Sequence, residues 1–179
     1  MYNTAYLSLG ANIEPESNLA TAVEMLGKLT RLIAVSSVWE TRPVGMIDQP
    51  NFLNAAVIVE TKLTAAQLKQ EVITPIEQSL GRARQANKNA PRPIDIDIIF
   101  FNDQIIELGQ RHIPNPEVLE RPFVAIPLAE IAPTYKHPQT GQTLNDIAQN
   151  FDVGDQDMHL RQDISLALWD LSALVGSSE

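Results

Sequence analysis

The sequence predicts an α+β fold: a ferredoxin-like β-α-β-β-α-β core with a mostly antiparallel sheet and helices packed on one face, plus a C-terminal helix. Two observations carry this. Apolar residues recur at helical spacing in two stretches of the first hundred residues, and runs of strand composition flank and separate those stretches. Gly, Pro and Asn punctuate the junctions as turn signals.

Tyr6 to Leu9 reads as a short strand, with "GAN" after it as a turn. Leu19, Ala22, Val23, Leu26 and Leu29 form the apolar stripe of a helix from Pro15. Leu32 to Val38 alternates as a strand, and a Pro- and Gly-containing loop, "TRPVGMIDQPN", leads to another from Phe52 to Thr61. Thr64 and Gln67 form a capping box opening a helix with the stripe Leu68, Val72, Ile76 and Leu80. Pro75 lies inside that helix and conflicts with it; Gly81 ends it. A basic loop, 82 to 92, enters the strand "IDIDIIFF", with a short helix expected near Pro116 to Arg121. Leu160, Ile164, Leu168, Leu171 and Leu174 recur at helical spacing. Residues 1–150 are therefore expected to form the domain, and 151–179 an extension whose amphipathic helix docks on it. His137 and His159 read as surface residues.

The 179 residues suit a single domain, with 44% apolar and 20% charged residues in an ordinary globular balance. No apolar run approaches the ~20 residues of a membrane span. The N-terminus lacks a basic n-region, so no signal peptide is expected, and a cytoplasmic location is. The absence of cysteine excludes disulfides, thiol catalysis and zinc–thiolate sites. A net charge of -9 disfavours nucleic acid and anionic membranes as partners. Yet Arg82, Arg84, Lys88, Arg92, Arg111 and Arg121 concentrate basic charge in one segment, which suits a phosphate-bearing ligand. Oligomeric state is left open.

Asp95 and Asp97 interrupt an otherwise β-branched and aromatic run. Alternation puts Asp95, Asp97 and Ile99 on one face, and Ile94, Ile96, Ile98 and Phe100 on the other. Two carboxylates about 7 Å apart on one face suit a divalent cation, and hard oxygen ligands suit magnesium. The competing reading is a pair of edge-guarding charges. Magnesium commonly pairs one or two carboxylates with substrate phosphates, so the flanking arginines point to a nucleoside triphosphate. Neither GxxxxGK[ST] nor GxGxxG occurs, so the common phosphate loops are excluded.

"KNAPRPIDIDII", residues 88 to 99, closely resembles the signature of the 6-hydroxymethyl-7,8-dihydropterin pyrophosphokinases of folate biosynthesis. The resemblance extends to "YLSLGAN", "SSVWETRPVG", "DQPNFLNAAV", "IEQSLGRAR" and "RPFVAIPLAEIAP", covering roughly residues 4 to 150 in the family's order. It implies transfer of an intact diphosphate from ATP, as co-substrate, to the pterin hydroxymethyl oxygen, with release of AMP. By resemblance, Asp95 and Asp97 hold two Mg2+ ions, Arg82 and Arg92 neutralise charge on the transferring and leaving groups, and Asp97 also acts in catalysis. Arg84, Arg111, Asn115 and Arg121 correspond to ATP contacts. Phe52 and Phe123 correspond to the aromatic pair that sandwiches the pterin, Asn54 meets its polar edge, and Thr41, Pro43 and Val44 complete the wall.

The chain departs from the family's pattern at Asn89 (commonly Trp), Gln85 (often basic) and Asn115 (usually His). These departures bear on loop closure and ATP affinity and leave a non-catalytic pterin- or nucleotide-binding relative as the alternative. An interaction module with an edge-guarding aspartate pair is the third reading.

Overall fold

The computed structural model describes residues 1–83, 87, 89–154 and 157–166. Its centre is β1 (Asn3–Ala11), which pairs with β4 (Phe52–Thr61) on one side and β5 (Asp95–Phe101) on the other. Among the described residues every strand pairing is antiparallel. β1 is longer than its expected span because "GAN" does not turn at its glycine. Gly10 continues the ladder opposite Asn54, where a Cβ would lie 3.3 Å from the Asn54 Oδ1.

Between β1 and β4 in sequence lie α1 (Pro15–Leu29), β2 (Arg31–Val35) and β3 (Trp39–Thr41). Pro15 sits in the first turn of α1, where its missing N–H costs nothing. The helix buries Leu19, Ala22, Val23 and Leu26, whereas Leu29 stays exposed. The strand expected over 32 to 38 stops at Val35, and β3 is a further strand that starts beyond it; both pair with β4. The break falls at Ser36. Its backbone N–H donates to the Ala56 carbonyl at 2.9 Å, while its hydroxyl accepts the Ala56 N–H at 2.8 Å, replacing a ladder bond by a side chain.

The helix after β4 is capped as expected. The Thr64 hydroxyl accepts the Gln67 N–H, and the Gln67 side chain accepts the Thr64 N–H. It runs as α2 (Ala65–Gln67), a π-helical segment (Leu68–Ile73) and α3 (Thr74–Ser79). This resolves the conflict at Pro75. The π segment closes before the proline, with the Thr74 N–H bonded to the Lys69 carbonyl, so Pro75 enters the first turn of α3 rather than an α-helix interior. Gly81 ends the run with φ 86°.

One sheet face packs on α1 and this second helix through Leu7, Leu9, Leu19, Leu26, Leu68, Ile76 and Ile96. The expectation of a single helical layer is incomplete, because α5 (Pro122–Ile131) and α6 (Leu144–Gln149) cover part of the other face. There Ala56, Phe100, Val124, Leu128 and Ile147 form a second core. The short α4 (Glu117–Glu120) stands where a helix was expected near Pro116, after a ribbon of β6 (Ile106–Leu108) and β7 (Arg111–Ile113). In β5 the alternation holds through Ile99, which joins the second core, and fails at Phe100. A register shift opposite Tyr6 and Leu7 inserts Ile99, which moves Phe100 to the second core and Phe101 to the first.

The tail departs from its helical expectation where it is described. Met158–Leu160 forms β8, paired with β3, and 161–166 is turn and irregular chain whose Leu166 is buried. Residues 167–179 lie outside the described residues. His137 is buried rather than superficial, its ring edge-on to Phe100. Among the described residues no helix is long and apolar enough to cross a membrane.

Candidate active site

The second sheet face is covered at one end by α5 and α6 and open at the other. Alternation along β1, β4 and β5 projects Ser8 and Gly10 from β1, Phe52 and Asn54 from β4, and Asp95 and Asp97 from β5 onto that open end. They floor a cavity of about 990 Å³, whose walls come from the loops after β3, α3 and β7. The cavity also collects Thr41, Val44, Arg82, Arg92, Arg111, Asn115, Arg121 and Phe123. Pro43 is not among the lining residues. Arg84 and Gln85 lie outside the described residues.

The aspartates are embedded in cations. Arg82 bonds one oxygen of Asp95, and the Arg92 Nη1 bonds the other at 2.7 Å. The Arg111 Nη1 bonds an Asp97 oxygen at 2.8 Å. Burial pushes the Asp97 carboxyl up to about 6, with the charge of Asp95 adding to the rise and Arg111 and Lys69 opposing it. Burial works against the charge of Arg82, but Asp95 and Glu77 more than offset it and hold that guanidinium above its ordinary value. Glu117 is likewise raised, first by burial and then by Asp95. β5 is an edge strand, but its aspartates lie on the cavity face, so charge-guarding of a solvated edge does not describe them.

This donor set fits magnesium in one way only. Among the described residues no three carboxylate or histidine side chains gather to cage a metal. Two neighbouring carboxylates, one of them raised by burial and by the other's charge, instead suit a hard cation that also takes phosphate oxygens.

Aromatic side chains also line the cavity. Phe52 and Phe123 line it from β4 and the start of α5, with the Arg92 guanidinium 5.4 Å from the Phe52 ring centre. The buried Asn54 amide donates to the Thr41 hydroxyl at 2.8 Å, so Thr41 fixes the way Asn54 faces. Gly45, on the loop above, has φ +87°, and a Cβ there would sit 2.4 Å from the Asn89 Nδ2. That loop and the basic loop are stitched together by Gln49, which donates to the Asn89 carbonyl at 2.6 Å.

Four participants lacked a signal in residue patterns alone: Lys69 and Glu77 on the second helix, Asn12 after β1, and Gln49. Glu77 occurs inside the quoted "IEQSLGRAR", five residues before Arg82, and that spacing was the available hint. Asn12 and Gln49 act through contacts distant in sequence, which periodicity does not reveal.

Known proteins resemble this chain in sequence and in fold. Residues 6–133 match the model of the 7,8-dihydro-6-hydroxymethylpterin-pyrophosphokinase (HPPK) family. A 2-amino-4-hydroxy-6-hydroxymethyldihydropteridine pyrophosphokinase of Bacillus subtilis is 44% identical over 134 residues, covering 73% of this chain and 79% of its own length. One from Synechocystis is 36% identical over 151 residues, covering 83% and 76%. The wild-type HPPK-DHPS protein of Plasmodium falciparum, solved with pterin and p-hydroxybenzoate, superposes with a TM-score of 0.67 at 19% identity. That match covers 84% of this chain and 42% of the Plasmodium chain, and it speaks for the fold. With the family model spanning well over half of its length, the chain belongs to the 7,8-dihydro-6-hydroxymethylpterin-pyrophosphokinase family.

Proposed function

We propose that this chain is an active pyrophosphokinase of folate biosynthesis. It transfers the terminal diphosphate of ATP to the hydroxymethyl oxygen of 6-hydroxymethyl-7,8-dihydropterin and releases AMP. One observation carries the reading: a single cavity joins an aromatic slot, Phe52 and Phe123, to a carboxylate pair set among arginines.

In this reading the pterin ring stacks between Phe52 and Phe123, with Asn54 at its polar edge and Thr41 and Val44 around it. The hydroxymethyl oxygen then attacks the β-phosphorus, the bond from that phosphorus to the α-phosphate oxygen breaks so that AMP departs, and the hydroxyl proton passes to solvent. Arg82 and Arg92 neutralise charge on the moving diphosphate and on departing AMP, while Arg84, Arg111, Asn115 and Arg121 grip the nucleotide. Asp95 and Asp97 would hold two magnesium ions, whose positive charge would stabilise the negative charge of the triphosphate during transfer. Asp97 also orients the attacking hydroxyl. A cytoplasmic site of action goes with ATP as co-substrate and with a chain lacking cysteine.

Incubation with ATP, magnesium and the dihydropterin tests the reading. AMP and the pterin diphosphate are the expected products. ADP would mean transfer of a single phosphoryl group, and tight pterin binding without turnover would leave a binding relative.

A further inference from the structure

Lys69 and Glu77 stand outside every role assigned above, yet both line the cavity. They lie eight residues apart on one helical run, and in a regular α-helix that spacing leaves side chains about 80° apart. The π segment Leu68–Ile73 changes this. Its wider turn takes up one extra residue, so Lys69 and Glu77 come onto one face, with Nζ and Oε1 3.0 Å apart. The Lys69 ammonium also donates to the Ile96 carbonyl at 3.2 Å, on the edge strand between the two aspartates.

Glu77 in turn holds Arg82 twice. Its backbone carbonyl accepts the Arg82 N–H at 3.0 Å, and its second carboxylate oxygen bonds the Arg82 guanidinium. The same guanidinium nitrogen reaches Asp95. Charges therefore alternate along one line: Lys69, Glu77, Arg82, Asp95, Arg92. A carboxylate as buried as Glu77, 7% exposed, needs partners, and here they are one lysine and one shared arginine.

We propose that Lys69 and Glu77 are a positioning pair for Arg82. They keep its guanidinium at the cavity mouth, beside Asp95, in the place from which it meets the triphosphate. Lys69 acts by dividing the claim of Glu77. With the lysine gone, Glu77 has only Arg82 to neutralise it and draws the guanidinium away from Asp95. When Asp95 is engaged elsewhere, Glu77 still tethers Arg82 to the end of the helix. This inference rests on the pyrophosphokinase reading for its consequence in turnover, and on the contacts alone for the coupling.

Lys69→Met and Lys69→Arg, each made in the parent and in an Arg82→Ala background, test it. Lys69→Met should lower kcat about tenfold and leave the pterin KM within about twofold, with Lys69→Arg restoring most of the loss. In the Arg82→Ala background, Lys69→Met should change kcat by less than about twofold, because its route of action is gone. Equal losses in both backgrounds, or parent-like kcat for Lys69→Met, would overturn the proposal. Melting temperatures of the same proteins without substrate read the coupling independently of turnover. Non-additive shifts are expected, and additive ones would refute the pair even if the parent releases AMP normally. A parent that released no AMP but melted non-additively would sink the functional reading and leave the pair standing.

Discussion

Asn12 and Arg92 hold each other through two hydrogen bonds, although eighty positions separate them. The Arg92 N–H donates to the Asn12 Oδ1 at 2.9 Å, and the Asn12 N–H donates to the Arg92 carbonyl at 3.1 Å. The Asn12 amide also donates to the Gln49 Oε1 at 2.8 Å and to the Pro50 carbonyl at 3.1 Å. One buried side chain thus sets the backbone of Arg92 relative to the loop that leads to Phe52. Asn12→Ala should destabilise the fold by about 1–3 kcal/mol, since it strands groups that Asn12 satisfies. It should also reduce kcat on the order of tenfold by loosening Arg92. Asn12→Asp keeps the acceptor for Arg92 and loses the donor to Gln49 and Pro50. Kinetics of the two variants beside their melting curves separate the contributions. Parent-like turnover in both would mean that Arg92 needs no such anchor.

Gly45 and Asn89 face each other across the two loops, and the approach leaves no room for a Cβ. Gly45→Ala carries two penalties. The left-handed backbone at φ +87° costs a residue with a side chain roughly 1–2 kcal/mol, and the new methyl collides with the Asn89 amide. The loop is expected to retreat from the cavity, weakening pterin binding about tenfold while magnesium–ATP affinity holds. Asn89→Gly in the same chain removes the collision and leaves the backbone strain, so calorimetry should show partial recovery. Full recovery would assign the whole effect to the collision, and none would assign it to the backbone.

Asp97→Asn keeps the shape of the side chain and removes its charge. Folding raises this carboxyl from its ordinary value to about 6, so the folded protein binds a proton more readily than the unfolded chain. Stability from this group is therefore complete below the ordinary aspartate range and is lost as pH rises through about 6. The melting temperature of the substrate-free parent should carry a falling component over that window, and the asparagine variant should lack it. At neutral pH the variant should be as stable as the parent or more so. Its turnover should drop about 100-fold or more, equivalent to roughly 3 kcal/mol of transition-state stabilisation. A variant that turns over at the parent rate would return Asp97 to a structural role.

Much of the framework was legible because it is local. The Thr64–Gln67 capping box, the α1 stripe and the alternation of Asp95, Ile96, Asp97 and Ile98 each depend on residues a few positions apart. Where the reading failed, a distant partner decided. The bulge at Ile99 exists only against Tyr6 and Leu7, and Ser36 ends a strand by bonding Ala56. Pro75 announced a conflict within the helix, but its resolution by a π turn followed from packing that a stripe of leucines does not encode. The site residues of the aspartate motif were legible because a dense basic and acidic pattern stands out in a buried strand. Lys69 was not, because a single lysine on a helix usually faces water.

The tail shows the same lesson with a consequence for the pterin wall. Leu160 and Ile164 fit a helical stripe, yet Met158 pairs with Thr41, and Leu160 pairs with Trp39, as strand. Arg161 continues beside the start of β3. Its N–H donates to the Val38 carbonyl at 2.9 Å, and its guanidinium bonds Glu40 at 2.7 Å. The other Glu40 oxygen accepts from Asn51, the residue before Phe52. The tail thus clamps the three-residue strand that carries Thr41, and through Thr41 it bears on Asn54. Removing residues 151–179 uncovers Met158's place on the sheet edge and the pocket filled by Leu166. Losing two such buried side chains costs about 3–6 kcal/mol, a fall in Tm on the order of 10 °C for a chain of this size. Arg161→Ala alone should cost less than about 1 kcal/mol, since its carboxylate partners are mostly surface groups. The decisive measurement is affinity at a temperature where the truncated chain is still folded. Pterin binding should weaken while magnesium–ATP binding stays near the parent value, because β3 touches only the aromatic end of the cavity. Equal weakening of both ligands would mean that truncation loosens the whole sheet. Unchanged pterin affinity would confine the tail to guarding an edge.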